Sequence, residues 1–87
     1  MSFDYNSTYG PRTSTYDIIG YSSTGRSFIT TKFNVQEDAN NDKIIEAAKK
    51  ALSNSSFGNL PIDSLTMQID QSHKYVHILD RMNVNFV

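Results

Sequence analysis

The sequence predicts a small α+β domain with the element order β-β-α-β-β, in which an antiparallel sheet is covered on one face by a single helix. Two observations predict this fold. Apolar residues recur with a helical period in one central segment, and they alternate with polar residues, as in strands, on both sides of it. A sheet and one amphipathic helix can bury their apolar faces against each other as two layers. We assign this domain to residues 14–87 and treat residues 1–13 as a flexible N-terminal arm.

The predicted helix is Asn41–Ser53. Its apolar residues fall at positions i, i+3, i+4, i+7 and i+8, namely Ile44, Ala47, Ala48, Ala51 and Leu52. Asn40 or Asn41 can cap its amino end, and Pro61 prevents the helix from restarting after the polar loop. Since a helix of about thirteen residues is marginal alone in water, we expect the apolar stripe to pack on the sheet.

A β-hairpin is predicted before the helix. Ser14–Tyr21 is the first strand, and Ser22–Gly25 is a turn whose glycine allows a positive φ. Arg26–Val35 alternates strictly, so one set of side chains is predicted to pack against the helix: Ile29, Thr31, Phe33 and Val35. The other set is predicted to face away from the helix: Phe28, Thr30, Lys32 and Asn34.

A second pair of strands is predicted after the helix, beyond a polar loop that contains one candidate for burial, Phe57. The first of these strands has Leu65, Met67 and Ile69 on one side, and Asp70–His73 is a turn. The second is Lys74–Asp80, which either continues through a bulge or restarts at Met82. Its inward positions are Val76 and Ile78, followed in the same parity by Met82, Val84 and Phe86.

Composition excludes several classes of protein. There is no cysteine, so neither a disulfide framework nor a thiolate metal site is available. The net charge is −1 with both signs interspersed, which is not typical of a nucleic-acid-binding polycation. No apolar run approaches the roughly twenty residues of a membrane span. The first residues have neither a basic start nor an apolar segment, so we expect no signal peptide and a cytoplasmic protein, in the host cytoplasm if it is viral.

The sequence shows no catalytic constellation. His73 and His77 are the only histidines, and on a strand they would lie roughly 13 Å apart, too far to share a metal ion. The four glycines match neither a dinucleotide-binding nor a P-loop motif, and no G-x-S-x-G motif is present. A single sheet with one helix also leaves little room for a buried pocket. We therefore expect a protein that is not an enzyme and has neither a metal ion nor another cofactor.

Two surfaces are candidates for binding. The sheet face away from the helix is too aromatic for plain solvent surface and too polar for a second core. The arm is an aromatic segment that either stays loosely packed, inserts into a partner or neighbouring subunit, or adds an edge strand. The residues predicted to contact a partner are Phe3, Tyr5, Tyr9, Arg12, Tyr21, Arg26, Phe28, Lys32, Tyr75 and His77.

These observations favour a small non-catalytic module that binds another protein, or a second copy of itself, by surface docking. An inhibitor or adaptor of a host protein, encoded by a phage or mobile element, fits this description. One alternative is a structural subunit of a viral or cellular assembly. Another is a sheet that stacks single-stranded nucleic acid with the help of Arg26, Lys32, Lys74 and Arg81, but acidic residues outnumber basic ones in the chain.

Overall fold

The computed structural model describes residues 12–84, and within them the chain forms four strands and one α-helix. In chain order these are β1 (Thr13–Ser22), β2 (Ser27–Gln36), α1 (Asn41–Ser53), β3 (Met67–Asp70) and β4 (Tyr75–Met82). A short 3-10 helix, Ile62–Ser64, lies between α1 and β3. Since α1 packs on one face of the sheet, the predicted α+β class and element order are confirmed.

The strands lie in the order β2-β1-β4-β3, and the sheet is mixed. β1 pairs antiparallel with β2 and β3 pairs antiparallel with β4, but the two central strands, β1 and β4, are parallel. The prediction of a wholly antiparallel sheet is therefore wrong. The physical reason is the crossover: a helix laid across one face carries the chain back to the end of the sheet at which β2 begins, so β3 runs in the direction of β2. Two hairpins joined in this way meet along parallel strands.

The core lies between α1 and the sheet. α1 contributes Ile44, Ala48 and Leu52, as its periodicity predicts. The sheet contributes side chains from one of its faces: Tyr16, Ile18, Phe33, Val76, Ile78 and Met82. The predicted cap is confirmed, because the N–H of Lys43 donates a hydrogen bond of 2.9 Å to Asn40 Oδ1. No helix within residues 12–84 is both long and apolar enough to cross a membrane.

A β-bulge at Thr30 changes which side chains of β2 reach the core. Ile18 pairs with Thr31 and Ile19 pairs with Ile29, so Thr30 is an extra residue on β2. Its hydroxyl donates to the carbonyl oxygen of Ile18 at 2.9 Å. Since one extra residue reverses the alternation, Phe28 lies on the helix side, where it packs against the core, and Ile29 lies on the opposite face. The predicted sides of these two residues are wrong, whereas those of Phe33 and Val35 are confirmed.

β4 is continuous as far as Met82, so of the two predicted courses the bulged strand is correct. The bulge lies opposite Gly20, where the register with β1 shifts by two residues and the alternation along β4 is kept. The glycine is needed there, since a Cβ on Gly20 would come within 2.7 Å of Met82 Sδ. Gly25 has a φ of +90° in the first turn, as predicted. Phe86 lies outside the described residues.

Candidate functional site

The face of the sheet that α1 does not cover is called the open face here. Pairing across the strands arranges its side chains in three rows. The first row is Lys32, Asp17, Tyr75 and Asp70, read from β2 to β3. The second row, in the same order, is Ile29, Ile19, His77 and Gln68. The third row is Ser27, Tyr21 and Arg81.

The open face collects the exposed apolar side chains of the described part of the chain. Within residues 12–84 the exposed large hydrophobic residues are Ile29, Tyr75 and Leu79, with exposed fractions of 56%, 36% and 49%. All three lie on this face, around Ile19 and His77 at its centre, and Leu79 lines a hollow there with Tyr21 and His77. An apolar cluster with charged residues at its margin is the composition of a protein interface, whereas scattered exposed hydrophobic residues would carry no such meaning.

Four rings form a continuous line across the open face. The ring of Tyr21 stacks on that of His77 with their centroids 6.0 Å apart, and Tyr21 Oη and His77 Nδ1 share a hydrogen bond of 2.8 Å. Tyr75 meets His77 edge-on at 5.9 Å and stacks on His73 at 6.0 Å. These contacts hold each ring in a defined position before any partner binds, which lowers the entropy lost on binding.

The line of rings ends at a turn that Asp70 organises. Ser72 Oγ donates to Asp70 Oδ1 at 2.7 Å, and His73 Nδ1 donates to Asp70 Oδ2 at 2.8 Å. The hydrogen bonds from Ser72 and His73 lower the pKa of Asp70 from 3.8 to about 2. Asp70 therefore keeps its negative charge throughout the physiological range.

Replacing Ser72 by alanine is expected to raise the pKa of Asp70 towards 3.8, because the hydroxyl makes the largest contribution to the shift. Since folding lowers this pKa, the ionised carboxylate stabilises the fold above about pH 4, and that contribution disappears as the pH falls towards about 2. The measurement is the carboxyl ¹³C shift of Asp70 by NMR between about pH 1.5 and 6. Ser64→Ala, which removes a hydroxyl bonded to Pro61 instead, is the control, and equal pKa values in both variants would contradict the assignment.

A hollow of about 360 Å³ lies on the open face towards β3. It is lined by Tyr21, Gln68, His77, Leu79 and Arg81. Arg81 also reaches the first turn, where its guanidinium donates to the carbonyl oxygen of Ser22 at 3.4 Å. A wider groove of about 710 Å³ lies elsewhere, between the end of α1 and the 3-10 helix. Within residues 12–84 no group of three or more histidine or carboxylate side chains could hold a metal ion.

The predicted site residues separate into four groups. Tyr21, Lys32, Tyr75 and His77 come together on the open face. Phe28 is removed from it by the bulge and packs against the ring of Phe57, at 5.8 Å between centroids. Two arginines lie beyond the ends of the hairpin strands, Arg26 before β2 and Arg12 before β1. The aromatic residues of the arm lie outside the described residues: Phe3, Tyr5 and Tyr9.

Eight residues of the open face, which are seven members of the three rows and Leu79, were missing from the predicted contact set. Leu79 and Arg81 keep the parity of His77, so alternation along β4 places both on this face. Ile29 could not be found in this way, since strict alternation places it with the core and only the bulge at Thr30 exposes it.

Comparison with protein-family models finds no match, and comparisons with curated proteins and with solved structures find no significant match. Function must therefore be inferred from the residues of the open face themselves.

Proposed function

We propose that this protein is a non-catalytic module that binds another protein, or a second copy of itself, through the open face. The observation that supports this most directly is the position of Ile29, Tyr75 and Leu79, the exposed large hydrophobic residues of the described chain, on one face. Leaving such residues in water costs free energy, roughly 25 cal/mol for each Å² of apolar surface. A bound partner would bury this apolar surface and so recover the free energy.

The surroundings of this cluster favour a protein as the partner. Tyrosine and arginine are enriched at the centres of protein interfaces, and the open face has Tyr21, Tyr75 and Arg81. Its rings are already held by one another, and the hollow beside His77 can accept an apolar side chain of the partner. The aromatic arm, residues 1–13, remains a predicted second contact. That the partner is a host protein, bound by a phage or mobile-element product, also remains a prediction.

Single-stranded nucleic acid is the second candidate, because the line of Tyr21, His77, Tyr75 and His73 resembles a platform on which bases stack. Charge argues against it. The three rows contain two basic residues, Lys32 and Arg81, and two acidic ones, Asp17 and Asp70, so the face does not attract a polyanion. Binding of an unstructured oligonucleotide at low salt by the wild type would favour this alternative over ours.

The proposal predicts that replacing both Tyr75 and Leu79 by alanine weakens binding of a protein partner at least about tenfold, since both side chains would be buried in the interface. Proteins retained by the immobilised wild type from an extract of the producing cells would be purified, and their Kd values measured. The matched control replaces Glu46 and Lys50 by alanine on the exposed side of α1. A purified partner that binds both double variants as tightly as the wild type would contradict a role for the open face.

A further inference from the structure

We infer that the partner of the open face is a second copy of this chain, packed face to face about a two-fold axis that runs along the strands between β1 and β4. The inference depends on the proposed docking role of this face and names its occupant. It follows from the order of side chains in the rows, because a rotation about that axis places each β2 residue over the β3 position, and each β1 residue over the β4 position, of the same row in the other copy.

The first row is complementary in charge under this rotation. Lys32 on β2 comes over the partner's Asp70 on β3, and the same pair forms again on the other side of the axis. Asp17 comes over the partner's Tyr75, whose hydroxyl can donate to a carboxylate. Since hydrogen bonds from Ser72 and His73 lower the pKa of Asp70, this residue is negative at neutral pH.

The second row is complementary in shape. Ile29 comes over the partner's Gln68, which lines the hollow of about 360 Å³. Ile29 is the most exposed of the large hydrophobic residues in the described chain, at 56%, and the hollow has room for its side chain. Each copy therefore presents a projecting side chain on β2 and a surface hollow beside β4 that can receive it.

The third row adds a cation–π pair. Tyr21 lies beside Arg81 in one copy, so the rotation places Tyr21 over the partner's Arg81. The face as a whole has equal numbers of basic and acidic residues, which suits a partner with the same composition better than a strongly charged one. Two sheets packed with their strands nearly aligned, about 10 Å apart, are an ordinary arrangement of β-structure.

The area of the face limits the strength of the dimer. Four strands and three rows span about 20 Å by 20 Å, or about 400 Å² of projected area on each copy. For the two copies together this is about 800 Å² of contact area, which is at the low end of specific interfaces, where association is weak and reversible. We therefore expect a dimer with a Kd on the order of 10–100 µM.

The inference is tested by measuring self-association with sedimentation equilibrium between about 10 µM and 1 mM. The wild type is compared with variants in which the charge of Lys32 or of Asp70 is reversed. Lys32→Glu alone and Asp70→Lys alone are each expected to weaken self-association about tenfold or more, since each sets like charges together twice. An equimolar mixture of these two variants is expected to associate about as well as the wild type. In the mixed dimer the introduced glutamate of one variant meets the introduced lysine of the other, while the native Lys32–Asp70 pair forms on the other side of the axis.

Asp70→Lys also removes the acceptor that holds the turn at Ser72 and His73, so circular dichroism of each variant at low concentration is the control for folding. If Asp70→Lys does not fold, Asp70→Asn replaces it. Asparagine keeps one acceptor oxygen for the turn, and this variant is expected to weaken the dimer several-fold. When Lys32→Glu is combined with Asp70→Asn in one chain, it is expected to cause no further weakening, because asparagine has no charge to repel the glutamate. Ile29→Ala, with the turn intact, is also expected to weaken the dimer several-fold.

Two results would overturn the inference. A wild type that stays monomeric at about 1 mM would exclude a second copy as the occupant, and it would leave the proposed docking role to be decided by the Tyr75 and Leu79 double variant. This packing of the open faces would be excluded if none of these substitutions weakened the dimer. It would also be excluded if combining the two charge variants did not restore self-association.

Discussion

Replacing Leu52 by alanine is expected to lower the free energy of unfolding by about 2–5 kcal/mol. Leu52 is fully buried in the last turn of α1, where it packs into the core beneath the sheet. The loss combines the apolar surface that is no longer buried with the cavity that remains. Because so small a domain has little stability to spare, this single change is expected to leave the protein partly unfolded near its normal temperature.

The measurement is urea unfolding followed by circular dichroism at a concentration where the chain is monomeric. Leu79→Ala is the matched control, since it removes the same atoms from a residue that is 49% exposed on the open face. It is expected to cost less than about 1 kcal/mol. Similar losses in the two variants would mean that α1 does not cover the core of this protein.

Replacing Phe28 by alanine is expected to lower the free energy of unfolding by about 2–3 kcal/mol, somewhat less than for a fully buried phenylalanine. Phe28 packs against the core and its ring contacts that of Phe57. A Cβ built on Gly20 would lie 2.8 Å from the Phe28 ring, which shows how closely the ring lies on β1. The loss therefore includes contacts to the loop after α1 as well as contacts to the sheet.

The comparison for this prediction is Ile29→Ala, measured by the same urea unfolding. Its side chain is removed from the core by the bulge at Thr30, so we expect a loss below about 1 kcal/mol. If strict alternation held along β2, the two effects would be reversed, with Ile29 buried and Phe28 exposed. A larger loss from Ile29→Ala than from Phe28→Ala would therefore contradict the register described for β1 and β2.

The bulge also affects the open face. It places Ile29 among the exposed apolar residues and provides the projecting side chain that the dimer requires. Without the extra residue, Phe28 would take this position, as strict alternation predicts. One residue inserted into β2 therefore decides the composition of the surface that is proposed to bind, and this is why bulges at binding sites are structural features rather than defects.

The local elements of this protein were predictable from its sequence. The helix Asn41–Ser53 with its Asn40 cap, the turn at Gly25 and the inward residues of β4 follow from periods and residue preferences that operate over a few positions. The sequence also predicted most of the residues of β1 and β4 that lie on the open face, including Tyr21, Tyr75 and His77. Side chains alternate along a strand wherever its pairing stays regular.

Only the tertiary structure decided how these elements meet. The parallel pairing of β1 with β4 depends on the end of the sheet to which α1 returns the chain, and the side taken by Phe28 depends on an extra residue that is visible only against β1. Both are relations between paired strands rather than within one strand, so the alternation of a single segment does not encode them. The arrangement of Lys32, Ile29 and Tyr21 opposite Asp70, Gln68 and Arg81 is likewise created by strand order, since it exists only once four strands lie side by side.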